Sequence, residues 1–469
     1  MLSRVLVAGA AAVGGPVLWS GAADALAGPL ATTASSAGSG TGAAQVPLFN
    51  WRRSLPIDSM SPGIGPFGGT ELRGLATMDG FLYAGNGYWR DSQQGNPALP
   101  GAQVYVLDAP TASWRVDAEF NERIEPGGKR RYQAIGALYC ARFVEARQSV
   151  LLASVWDRLG SLTIFSKAGR PGSWDRYRFA QTAPAGAQTR SFGQHRDQVT
   201  GEELVFAGTN PLGIFSGTYD PGRPGGIDWG PHPEAGISPT EASQRVMSFA
   251  QGNGNLYATV GWQIYERQDG STPSWKHVFT WGHDLPLNGY GGLRGLTAIA
   301  DPTGAGDAFL VAAEGTQGRV LRIAPLDRYG AATDLDVLSF ATKVLNTTVE
   351  AVIVAYNDMA RYVSTSHDAG RPGLLIGGYD AKTASGGLGS QHKAPGAYVL
   401  LRDPGGGYRC QEVLDPAITP TPALVATRTI VASPFADDPA GTVYAGGFDA
   451  GNLTPHNSAW LYRGAPHAP

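Results

Sequence analysis

Five arginines stand at comparable points along a repeating chain, and their side chains are suited to gripping an acid. Arg73, Arg190, Arg245, Arg294 and Arg428 each open a short apolar segment or stand just inside one. The local contexts include Glu71-Leu72-Arg73-Gly74-Leu75, Gly292-Leu293-Arg294-Gly295-Leu296 and Thr427-Arg428-Thr429-Ile430. A guanidinium presents a planar fork of donors that matches two oxygens of a carboxylate or phosphate, so several converging on one place favour an anionic ligand. The plain alternative is that each arginine pairs with an acid or a carbonyl of its neighbour and locks the fold. His195, in Ser191-Phe192-Gly193-Gln194-His195-Arg196-Asp197, suits a general base if it faces the same space, because imidazole titrates near neutral pH. It equally suits a residue that satisfies a nearby turn or aspartate. His283 and Tyr290 precede Arg294 in the chain and carry the same two readings.

A second group mixes aromatic and polar side chains in the manner of a sugar site, with an apolar ring face beside polar edges. It comprises Asn86, Tyr88, Trp89, Arg90 and Asp91, then Trp156, Asp157 and Arg158, and later Gln391, His392, His456 and Asn457. These fall in connections, where a rigid scaffold commonly carries function. Tyr88, Trp89 and His456 are taken as candidate substrate contacts. Other chemistries lose their usual support: the chain has no Gly-x-Ser-x-Gly, no glycine-rich phosphate loop, no His-Glu-x-x-His and no Cys-x-x-Cys. No cofactor is called for and no metal ligands are assigned; a channel-bound ion such as calcium stays open.

The elements that position these residues come from a repeat. An apolar pair followed by two small residues recurs as Leu82-Tyr83-Ala84-Gly85, Leu151-Leu152-Ala153-Ser154, Val205-Phe206-Ala207-Gly208, Leu256-Tyr257-Ala258-Thr259, Leu310-Val311-Ala312-Ala313, Leu375-Ile376-Gly377-Gly378 and Val443-Tyr444-Ala445-Gly446. Its spacing, roughly 50 to 70 residues, is near that of propeller and solenoid units. Turns such as Asp79-Gly80 and Gly252-Asn253-Gly254 precede the signature, alternating strands follow it, and four strands per unit make a propeller blade. The expectation is an all-β, seven-bladed propeller, with six or eight blades as alternatives. The last unit shows only two clear strands, so the segment Leu48 to Leu55 is expected to supply its outer strand and close the ring. The arginines then open the innermost strands and surround one channel mouth.

With 42% hydrophobic residues in 469 the chain can bury a large core, and 65 glycines with 33 prolines favour short strands and many turns. A net charge of −3 without a basic run speaks against nucleic acid. Arg4, the apolar run Val5 to Trp19 and Ala25-Leu26-Ala27 resemble a signal peptide cleaved after Ala27. Residues 28–45 read as a flexible Ala/Gly/Ser/Thr spacer and 46–469 as one propeller domain, secreted or periplasmic, with no stable membrane span. Cys140 falls in an innermost strand and Cys410 in the outermost strand of a distant blade. They are therefore expected to lie beyond the roughly 7 Å reach of a disulfide and to remain free and buried.

The layout resembles the seven-bladed propellers found among carbohydrate-active enzymes, nearest to lyases that act on uronate-containing polysaccharides. The resemblance rests on architecture and on the arginine-rich mouth. It departs from sialidases, because Gln268-Asp269-Gly270-Ser271 leading to Trp275 is only a degenerate echo of their aspartate boxes. What it implies is an anionic glycan at the mouth, cleaved next to a uronic acid by β-elimination. Arg190, Arg245 and Arg294 would hold the carboxylate, and His195 or His283 would remove the proton. The alternative is a non-catalytic secreted propeller that binds a glycan or a protein.

Overall fold

Short alternating segments between glycine turns do form strands, and nearly all regular structure is antiparallel sheet. The computed structural model describes residues 48–55, 71–87, 101–124, 130–170, 172–181, 187–237, 245–282, 292–316, 318–346, 348–354, 359–363, 372–376, 379–383, 397–403, 405–419, 426–448 and 459–467, with 128, 183 and 424 standing alone. The leader and spacer expected over residues 1–45 lie outside them. Among the described residues no helix is long and apolar enough to cross a membrane.

The arrangement is propeller-like. Apart from the last, whose outer strand is Phe49–Arg53, the four-stranded sheets run from an inner strand outward in chain order, and the inner strands stand side by side. Ala426–Ala432 packs against Glu71–Met78, then come Tyr132–Phe143, Gln188–Arg196, Val246–Gly252 and Leu293–Ala300. Among the described residues five four-stranded sheets stand separately. Two further runs of strands, one from Glu71 to Phe120 and one from Tyr132 to Ala180, are fused into one eight-stranded sheet by the single pair Gly87–Ala134. Seven separate blades are therefore not what the described strands display. The fusion has a local cause: a side chain on Gly87 would collide with the Ala134 backbone, so glycine permits the approach. Val349–Val354 and Tyr379–Thr383 form an extra two-stranded sheet, reached through the helix Val337–Leu345.

Where it is described, the recurring signature lies in the second strand of its sheet, and contacts at Gly85, Ser154, Gly208 and Gly446 explain why its fourth position is small. A Cβ on Gly85 would stand 2.7 Å from Ile135, and one on Gly208 2.5 Å from Val246. Gly446 faces Leu72 in the same way. In each case the neighbour belongs to the next inner strand. Ser154, the one hydroxyl among these four, donates to Thr189 O at 2.8 Å and accepts from Ala137 N at 2.7 Å. The small position is where one sheet is pressed onto the next.

As expected, Phe49–Arg53 pairs with Ala459–Pro466 as the outer strand of the last sheet. Asp415 in the adjoining segment accepts from Arg53 N at 2.9 Å and from Arg52 Nη1 at 2.8 Å. The Gln411 amide both donates to Phe49 O and accepts from Phe49 N. Cys140 and Cys410 are free; each is half-buried rather than fully buried, and burial pushes the Cys410 thiol up to about 12.

Candidate functional site: an arginine mouth on an inner cavity

The inner strands carry a recurring irregularity near their first residues. Register shifts fall at Arg73, Arg190 and Arg428, where the bulged residue is the arginine itself, and at Gly136 and Met247 in intervening strands. A bulge re-aims one side chain out of the alternation. The result gathers Arg73, Arg190, Arg245, Arg294 and Arg428 closely enough for their charges to act on one another.

Two buried carboxylates stand among these five guanidiniums. Glu71 meets Arg428 at 2.6 Å and Arg73 at 3.4 Å, and Glu314 meets Arg294 at 2.7 Å. Arg190 has no hydrogen bond or ion pair among the described residues, and its Nε is buried without a partner. Burial holds its pKa well below the usual arginine value, with Arg73, Arg245 and Arg294 pressing the same way and Glu71 opposing. Burial likewise lowers Arg73 and raises Glu314. At the same end the Gln188 amide, the Thr189 hydroxyl, Asn86 Oδ1 and Asn210 Oδ1 are buried without hydrogen-bond partners among the described residues. Unsatisfied buried polar groups are rare in proteins, and a cluster of them marks a place built to meet a polar ligand or water.

Below the mouth a cavity of about 380 Å³ continues between the inner strands, with Arg73, Arg190 and Arg428 at one end and Tyr139, Gln194 and Gln251 at the other. Its lining mixes apolar side chains with a comparable share of polar groups. Among the described residues no group of three or more His, Cys, Asp or Glu could hold a metal.

His195 is not brought to the arginines. It stands five residues beyond Arg190 on the same strand, about 16 Å away at the usual rise. Its ring is buried, with Nε2 donating to Asp269 Oδ2 at 2.9 Å. That aspartate belongs to a network around Arg267, which reaches Glu234 at 3.0 Å, Asp197 at 2.9 Å and Asp269. The degenerate aspartate-box turn is thus an anchor between two sheets. Asp157 has a similar role: Arg131 donates to it at 2.9 Å and Leu159 N at 2.8 Å. Tyr88, Trp89, His283, Tyr290, Gln391, His392, His456 and Asn457 lie outside the described residues.

The partners Glu71 and Glu314 and the cavity walls were not singled out from sequence. A signal existed for Arg190: Glu71-Leu72-Arg73 places an acid two residues before its arginine, whereas Gln188-Thr189-Arg190 places a neutral amide there.

No family model matches the sequence, and no curated protein matches it either. Similar solved structures include a YCF48 protein bound to a D1 peptide, with 10% identity over 91% of this chain and 99% of that one, at a TM-score of 0.46. The β-propeller domain of Cps50 (Swd1) from Myceliophteria thermophila has 12% identity over 83% and 97%, at 0.43. A GH43 β-1,3-galactosidase with galactodeoxynojirimycin has 9% identity over 56% and 92%, at 0.31. Likeness at this level carries no functional argument, and none of the three is a lyase.

Proposed function

We propose that this chain is an exported propeller that binds the acid group of an anionic glycan at the arginine mouth. The observation that carries the reading is Arg190, a guanidinium without a partner among neighbours that include three more arginines. Such a charge is costly to desolvate alone and is satisfied by a carboxylate in bidentate contact. We also propose that the fused eight-stranded sheet represents two blades, so that the ring has seven.

Cleavage by β-elimination is the sharper form of the proposal. Arg190, Arg245 and Arg294 would neutralise the uronate, and the base would come from the connection holding His283 and Tyr290. That connection leads directly into the strand of Arg294, whereas His195 is committed to Asp269. The binding form rests on fewer residues and is favoured by the tied His195.

Calorimetry with oligouronates and ultraviolet absorbance of newly formed unsaturated uronate separate the two forms. Affinity lost in Arg190→Ala without any absorbance change establishes a binding protein. Absorbance that rises in the parent and not in the variant establishes a lyase. Equal affinity in parent and variant overturns the site.

A further inference from the structure

The channel below the mouth differs chemically from the mouth. Interiors pack at the density of organic crystals, with few voids larger than a water molecule. Here about 380 Å³ stays open between walls that include Leu138, Phe192, Met247, Phe249, Leu296 and Met359. That volume falls in the ordinary range for a small-molecule site.

The hydroxyls on these walls are already engaged. Ser191 Oγ donates to Val246 O at 2.9 Å, Ser248 Oγ accepts from Leu296 N at 3.1 Å, and Thr429 Oγ1 accepts from Leu75 N at 3.2 Å. A sugar ring lowered into the channel would bring hydroxyls on every side and leave most of them unmatched, at a cost for each. An apolar body set against the apolar side chains gains the transfer of its surface from water. At the upper end the unpartnered Arg190 faces the same cavity. At the lower end Gln194 is held by Arg142, donating to its carbonyl at 2.5 Å and accepting from its N–H at 3.0 Å. The cavity is therefore cationic at one end, carries apolar side chains between its ends and is capped by engaged amides at the other. Four residues of strand separate Arg190 from Gln194, about 13 Å at the usual rise.

We propose that the channel is a binding site for an amphipathic monocarboxylate, with its carboxylate on Arg190 and a medium-length alkyl or aryl body in the channel. The inference rests on the anion-binding reading of the mouth but not on its glycan form, since a glycan would stay above the arginines.

The test titrates the full mature chain with acetate, hexanoate, octanoate and decanoate, with decanol and with galacturonate. The expected result is an affinity that rises roughly three- to fourfold per added methylene. Decanol and the Arg190→Ala variant should each bind at least about tenfold more weakly than the parent with decanoate. Ala298→Phe, which fills the channel from a wall position, should abolish the chain-length dependence while the acetate affinity stays unchanged. A thermal melt matching the parent shows that this variant folds. Galacturonate binding through Arg190, with decanoate no tighter than acetate, overturns the channel site and leaves the mouth intact. Absence of binding by every acid overturns both.

Discussion

Arg190 and Arg267 lie on adjoining sheets and are treated in opposite ways. Arg267 is almost wholly enclosed, yet its donors reach three carboxylates, and the Phe206 ring lies 5.2 Å from its guanidinium carbon. One of those carboxylates, Glu234, also accepts from Trp275 Nε1 at 2.8 Å. Arg190 has other arginines nearby and no partner of its own among the described residues. Residue type and burial do not separate a structural arginine from a ligand-binding one; the partner inventory does.

The largest expected effect breaks the paired side. Arg267→Met leaves Asp197, Glu234 and Asp269 without their shared cation and should cost about 3–5 kcal/mol in urea unfolding, the usual result of removing one member of a buried ionic network. Arg190→Met should cost nothing or stabilise slightly, because it removes a desolvated, repelled charge. A loss comparable to that of Arg267→Met would mean that both arginines are structural.

Acid titration probes the same pairing. Burial alone would raise Asp197, but the N–H groups of Thr200, Gly270 and Val199 and the Arg267 guanidinium outweigh it and hold the carboxyl well below the usual range. A depressed folded-state value contributes stability that is complete above the unfolded pKa, about 4, and is lost as pH falls towards the folded value. Urea midpoints should therefore drop between pH 4 and pH 2, by up to about 1.4 kcal/mol per unit from this group. Asp197→Asn should flatten that part of the profile.

A subtler change sharpens the unpaired side. Gln188→Glu recreates at Arg190 the acid-x-arginine spacing of Glu71 and Arg73, and should weaken carboxylate binding about tenfold, equivalent to about 1.4 kcal/mol. The smallest effect is on melting: millimolar sulfate should raise the melting temperature of the parent by mass action and leave Arg190→Met unmoved.

Much of the scaffold was legible because its constraints are local. The small fourth residue of the signature records, at Gly85, Ser154, Gly208 and Gly446, the pressure of the next inner strand, and the incomplete last sheet pointed to Phe49–Arg53 as its missing member. The five arginines were legible as a group because each stands near the start of an inner strand. Their pairing was not, since Glu314 meets Arg294 from the neighbouring second strand and Glu71 meets Arg428 across the junction of the chain ends. His195 illustrates the limit in the other direction. Its place on an inner strand, five residues from Arg190, was readable, but its bond to Asp269 in the next sheet depends on packing between sheets. The fusion at Gly87–Ala134 likewise turns on a single backbone approach.

Closure by the outer strand also sets an order of events. The partners Phe49 and Pro466 span nearly the whole described chain, so this ladder is among the least local contacts in the molecule and falls late in any pathway that forms near contacts first. Until it zips, the strand Ala459–Pro466 has an open edge, and Asp415 and Gln411 lack their partners on Phe49–Arg53. The finished ring is then guarded by a clasp that local sheet formation cannot complete, so its lifetime should depend on how fast that one strand peels away.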